Sequence, residues 1–159
     1  PARHAGLFLT GYQLRPTSTG SVHVTGPAPD DPPSITTGYL TTAVDRAVTG
    51  RILDLIRGLL ATEPLAGLVR GEEAPGPAVA SPDEVVGYAA RTGGGLYHAV
   101  GSCAMGPGER AVVDDALRVR GVEGLRVVDA SVFPVMPSGN TGAPTMALAR
   151  RAAGLIAGA

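Results

Sequence analysis

Tyr97-His98-Ala99-Val100-Gly101-Ser102-Cys103-Ala104-Met105-Gly106 puts one imidazole beside a run of small residues. A later stretch, Pro137-Ser138-Gly139-Asn140-Thr141-Gly142-Ala143-Pro144-Thr145, puts an amide side chain between glycines just before a helical pattern. Between the two runs Gly124-Leu125-Arg126-Val127-Val128-Asp129-Ala130-Ser131-Val132-Phe133-Pro134, an apolar strand ending in an acid, a type common where a buried sheet edge meets a ligand. A functional reading needs His98 and Asn140 to face one pocket. Taken alone, His98 reads either as a satisfied core histidine or as a pocket group. The Gly93-Gly94-Gly95 turn before it gives the chain freedom to present the ring.

Composition excludes several classes. The 159 residues are 44% hydrophobic, enough for a core, but only 4% aromatic. Thirteen basic residues, all arginine, face 14 acidic ones for a net charge of −1, with no basic block, so no nucleic acid is expected as a partner. The 23 glycines and 14 prolines cluster between periodic segments and mark tight turns and loops. Cys103 is the single cysteine, so no internal disulfide forms. One thiol and three scattered histidines make no metal site, and Cys103 reads as a small buried side chain. No apolar run is long enough for a membrane span. The chain starts at Pro1 without a methionine or a signal peptide. The expectation is a cytoplasmic location, with something upstream removed or unrecorded.

Periodicity supplies the elements. Leu7-Phe8-Leu9-Thr10 and Ser21-Val22-His23-Val24 read as two strands around an Arg15–Ser21 turn cluster, with His23 on the solvated phase. Gly26–Pro33 is a Pro/Asp loop. Residues 41–60 form an amphipathic helix, with Val44, Val48, Ile52, Leu55, Ile56 and Leu59 toward the core and Asp45, Arg46, Arg51, Asp54 and Arg57 opposite. Gly50 inside it costs roughly 1 kcal/mol against alanine. After a loop over 71–80, Ser81-Pro82-Asp83-Glu84 is a capping box that starts a helix to about Arg91. Leu96-Tyr97-His98, Ala111–Asp115, Leu117–Gly121 and Gly124–Asp129 read as short extended segments. Pro144–Ala157 reads as a helix with Met146, Ala149, Ala153 and Ile156 on one face. The free N–H groups at its start, near Asn140, Thr141 and Gly142, favour negative charge.

These motifs together resemble the C-terminal part of the glucose–methanol–choline (GMC) oxidoreductases, FAD-dependent alcohol oxidases and dehydrogenases. The family's histidine with Gly-Ser/Thr and Met-Gly stands here as His98, Gly101-Ser102 and Met105-Gly106. Its Val-Val-Asp … Gly-Leu-Arg-Val-Val-Asp-Ala-Ser-Val-x-Pro run covers Val112–Pro134, and its Ser-Gly-Asn-Thr-x-Ala-Pro-Thr covers Ser138–Thr145. Arg15-Pro16-x-Ser18-x-Gly20-Ser21-Val22 is similar to the start of its substrate domain.

The resemblance implies an α+β fold. Residues 1–106 would belong to a GMC-type substrate-binding domain, an antiparallel sheet with helices. Residues 107–159 would return to the FAD-binding α/β domain as its last strand and helix. The family's Gly-x-Gly-x-x-Gly dinucleotide turn is absent, and Gly93-Gly94-Gly95 lacks that spacing. The N-terminal Rossmann part is thus expected elsewhere, either on a companion polypeptide of a cleaved or split enzyme or in a part of the protein that is unrecorded. By the same resemblance the cofactor is FAD and the substrate a small-molecule alcohol. His98 would be the base that takes the hydroxyl proton, a task suited to an imidazole with an ordinary pKa of about 6.5. Asn140 would bind the substrate oxygen without titrating. Tyr97 would wall the substrate pocket, and Asp129, Ala130, Thr141 and Gly142 would approach the flavin and its ribityl–diphosphate. Two alternatives stay open: a flavin-containing hydroxynitrile lyase on the same fold, and a non-catalytic module.

Overall fold

The computed structural model of the chain describes residues 5–158. It resolves into two units. The first holds Thr17–Thr19, Gly38–Gly94 and the chain up to Gln13; the second holds Leu14–Pro16, Gly20–Thr37 and the chain from Gly95 onward.

The first unit is built on two helices, α1 (Ala43–Leu60) and α2 (Pro82–Thr92), which pack on each other. Thr42 caps α1 by accepting the Asp45 N–H at 3.2 Å. The expected capping box starts α2: Ser81 Oγ accepts the Glu84 N–H, and Glu84 Oε2 accepts the Ser81 N–H at 2.8 Å. These backbone bonds hold the Glu84 carboxyl below the ordinary carboxylate range. Gly93 follows the last turn, as the triple glycine predicts.

The inner face of α1 differs from the expected one. Val44, Val48, Leu55 and Leu59 are exposed, at 55%, 37%, 75% and 53%. Leu53 and Gly50 are buried instead, together with Asp45, which the helical pattern places on the solvent side. The physical reason lies in the partners. A side chain at Gly50 would meet Pro82 Cβ at 2.8 Å, so the glycine is the contact that lets the start of α2 approach. Asp45 turns inward because it has donors there: its carboxylate accepts from the N–H groups of Thr17 (2.9 Å) and Ser18 (2.7 Å) and from Thr17 Oγ1 (2.9 Å). Burial alone would raise its pKa. Hydrogen bonds from the Ser18 side chain, the two backbone N–H groups and the Thr17 hydroxyl overcome that and hold it far below the usual range.

The second unit has little regular structure. Strands β1 (Ser21–His23) and β2 (Ser34–Thr36) pair antiparallel, with Val22 opposite Ile35 and the Pro/Asp segment as their loop. The partner of β1 is therefore β2; Leu7–Thr10, expected as a strand, is irregular. The segments expected as strands between residues 96 and 129 form only isolated bridges, Met105 with Val113, Val113 with Val119 and Arg118 with Arg126. Leu96–His98 is not a strand, and Tyr97 sits at φ 59°, the left-handed region. A 3₁₀ turn, Ala130–Val132, follows Asp129, and helix α3 spans Gly142–Ala157.

Val113, Leu117, Val132 and Ala152 form the core of this unit, flanked by Met105, Val112, Val119, Val127, Val128 and Leu148. Helix α3 contributes Leu148 and Ala152, while Met146 and Ile156, on the face expected to be inward, are 69% and 52% exposed. Fold class stands as expected, a small antiparallel sheet with helices.

Candidate functional site

Three motifs are knitted together inside the second unit, mainly by backbone. The Ser131 carbonyl accepts the N–H groups of Gly101 and Cys103, both at 3.0 Å, and the Val132 carbonyl accepts that of Met105 at 2.8 Å. These bonds lay the segment after His98 along the 3₁₀ turn that follows Asp129. Gly101 takes φ 91°, a left-handed conformation that favours glycine, and a Cβ there would touch the Phe133 carbonyl at 3.5 Å. The third motif joins through its side chains. His98 Nδ1 lies 2.9 Å from Thr141 Oγ1, and the Thr141 N–H approaches the same nitrogen at 3.5 Å. Arg15 Nε donates to Ser138 Oγ at 2.6 Å, which brings the early Arg-Pro motif to the same Ser-Gly-Asn run.

The residues singled out in the sequence are distributed as follows. His98 is half-buried and contacts Thr141, which is buried. Asn140 immediately precedes Thr141 and is exposed. Tyr97, next to His98, is 100% exposed. Asp129 is exposed and caps the 3₁₀ turn by accepting the Ser131 N–H at 2.8 Å; the Ser131 hydroxyl, then this N–H, holds its carboxyl below the ordinary value. Ala130 opens that turn, and Gly142 opens α3. The Thr141 hydroxyl, expected near the flavin, is engaged with His98. Sequence reading passed over this contact because a threonine before a helix reads first as a cap. It also passed over Ser131, whose carbonyl signals nothing in a sequence.

A cavity of about 540 Å³ lies elsewhere in the unit, between Asp114, Arg118, Arg120, Glu123 and Arg126. Its guanidinium groups already serve the loops. Arg118 pairs with Asp114 at 2.8 Å, Arg120 donates to the Gly106 carbonyl, and Arg126 donates to the Ala116 carbonyl. Among the described residues no three His, Cys, Asp or Glu side chains are placed to hold a metal, and no helix is long and apolar enough to cross a membrane.

Known proteins resemble most of this chain. Oxygen-dependent choline dehydrogenase from Chromohalobacter salexigens is 41% identical over 146 residues, 91% of this chain and 26% of that protein. Alcohol dehydrogenase (acceptor) from Pseudomonas putida is 38% identical over 151 residues, 95% of this chain and 27% of that protein. The crystal structure of pyridoxine 4-oxidase from Mesorbium loti superposes with a TM-score of 0.76 at 34% identity, over 88% of this chain and 27% of that one. The chain thus spans about a quarter of the length of the relatives it matches. With the family model described as GMC oxidoreductase matching residues 16–149, across all three knitted motifs, this chain belongs to the GMC oxidoreductase family.

Proposed function

We propose that this chain supplies the base and the substrate-oxygen ligand of an FAD-dependent enzyme that oxidises an alcohol to a carbonyl. The observation that carries the reading is the 2.9 Å contact between His98 and Thr141, because it places the histidine motif and the Asn140 motif at one point of the fold. Residues 1–106 belong to the substrate-binding part and 107–159 to the FAD-binding part. A companion polypeptide carries the N-terminal FAD-binding portion. Apolar residues of α1 and α3 that face outward, such as Val44, Leu55 and Met146, suit burial against the rest of the enzyme.

The start of α3 fits an anionic or polar edge of the cofactor. Its Thr141 makes no side-chain cap, its first turn holds no acidic residue, and nothing lies within 4 Å of where a Cβ on Gly142 would stand. Gly142 and Thr141 would hold the cofactor there, with Asp129 and Ala130 beside them. When bound, FAD supplies the two-electron acceptor for the carbon-bound hydride. His98 takes the hydroxyl proton on the ring nitrogen that does not face Thr141. Asn140 donates its amide hydrogen to the substrate oxygen and to the alkoxide that develops as the proton leaves. Tyr97 lines the entrance: it is a bulky residue held at positive φ with its side chain turned to solvent, and backbone strain of this kind gathers at functional sites.

The test is alcohol-dependent flavin reduction in the assembled enzyme. His98→Ala is expected to slow it by about 10²-fold or more. A wild-type rate in that variant would sink the assignment. Asn140→Ala is expected to slow the same step less, and the reverse order would exchange the two roles.

A further inference from the structure

We infer that Thr141 is a positioning residue for His98: its hydroxyl accepts the Nδ1–H of the neutral ring and so leaves the Nε2 lone pair as the basic face. The inference rests on reading His98 as the base and adds the residue that sets its tautomer.

Three features of Thr141 point this way. First, a threonine at a helix N-cap normally turns its hydroxyl to an N–H of the first turn. Thr141 caps the 16-residue α3 and makes no such bond; its backbone is already helical, at φ −77° and ψ −12°, and its hydroxyl goes to His98. Second, the residue is clamped from its other end. Its carbonyl accepts the Thr145 N–H at 2.9 Å and the Thr145 hydroxyl at 2.7 Å. It is 8% exposed and β-branched, so both solvent and rotamer freedom are curtailed. Third, of the two Thr141 groups that meet Nδ1, the hydroxyl at 2.9 Å is the close partner, and the N–H, at 3.5 Å, stands at the outer edge of hydrogen-bond distance. The hydroxyl is therefore the partner that governs the ring.

A hydroxyl both donates and accepts, and an imidazole nitrogen can do either. Function selects the direction. If Nδ1 accepted from Thr141, the neutral ring would carry its proton on Nε2, and no lone pair would be left for the substrate. With Nδ1–H donating to Oγ1, Nε2 receives the hydroxyl proton while the Nδ1–H bond persists unchanged into the imidazolium. The carbon-bound hydride, with its electron pair, would go to the flavin as two-electron acceptor, which balances the step. No hydrogen bond has to reverse as the charge forms.

Tautomers are read directly from imidazole ¹⁵N–¹H correlations, without turnover. In the uniformly labelled assembled enzyme, in alkaline solution, His98 is expected to show the Nδ1–H pattern. His23, on the exposed strand β1, serves as the internal reference with the Nε2–H pattern usual for a free ring. Thr141→Val is expected to convert His98 to Nε2–H, and Thr141→Ser to retain Nδ1–H. In the assembled enzyme Thr141→Val is expected to slow flavin reduction by about tenfold or more, with KM little changed and Thr141→Ser near wild type. An Nε2–H pattern for His98 in the wild-type assembled enzyme overturns the inference, and needs no variant to fold. So does an Nδ1–H pattern that survives Thr141→Val. The tautomer is read without turnover, and the base assignment on which the inference rests is tested separately by His98→Ala, so the two failures are told apart.

Discussion

The two units achieve order by opposite means. The first is a pair of regular helices closed by a glycine contact and one buried carboxylate. The second carries the candidate site residues, His98 and Asn140 among them, on irregular backbone around four buried aliphatic side chains, with one helix and a two-stranded ribbon. In the first, side chains decide the geometry: Asp45 collects its donors, Ser81 and Glu84 start α2, and Arg57 pairs with Glu72 at 2.8 Å. In the second, carbonyls decide it: those of Ser131, Val132 and Ala104 hold the loop segments to one another.

The sharpest test of this contrast is Leu117→Ala. Leu117 is 2% exposed and one of four residues in its core, so the cavity is expected to cost about 3 kcal/mol. Urea unfolding measures the loss, and amide exchange should accelerate at Met105, Gly101 and Cys103, whose N–H groups define the loops. Unchanged exchange at those three amides would mean that the aliphatic core does not hold the backbone network.

Asp45→Asn probes the other unit and is expected to cost on the order of 2 kcal/mol at neutral pH, since hydrogen bonds to a charged acceptor are lost or weakened. Its sign with pH is fixed by the direction of the shift. The folded carboxyl titrates well below the unfolded one, so the stabilisation is complete above the unfolded pKa of about 3.9 and fades as pH falls below it. Unfolding curves of wild type and variant should therefore converge between about pH 4 and pH 2. A gap that stays constant over that range would break the claim that charge, and not shape, makes Asp45 important. Ser81→Ala is the mildest change. Loss of the capping box is expected to cost about 1 kcal/mol, seen as a small drop in melting temperature.

Sequence reading located the three helices because their signals are local. Ser81 and Glu84 announce a start, Gly93 a stop, and the apolar repeats of α1 and α3 a 3.6-residue period. The same reading expected the large apolar residues of α1 and α3 to face this chain's own core, whereas several of them face outward and the inward positions of α1 include an aspartate and a glycine. A buried carboxylate is invisible until its donors, here Thr17 and Ser18, are known to be near. The histidine and asparagine motifs were legible as family patterns. Their meeting through Thr141 was not, because side-chain contact between residues so far apart in the chain leaves no trace in spacing.

Asp45 also makes the formation of the first unit a chemical event in the solvent. Near pH 4 the carboxyl of an unfolded chain is about half protonated, whereas in the folded unit its donors keep it ionised. Refolding in mild acid therefore expels about half a proton from this one side chain. The heat released then includes the ionisation heat of whichever buffer captures that proton. Two buffers of unequal ionisation enthalpy should report different folding heats for the same chain, and Asp45→Asn should narrow the difference.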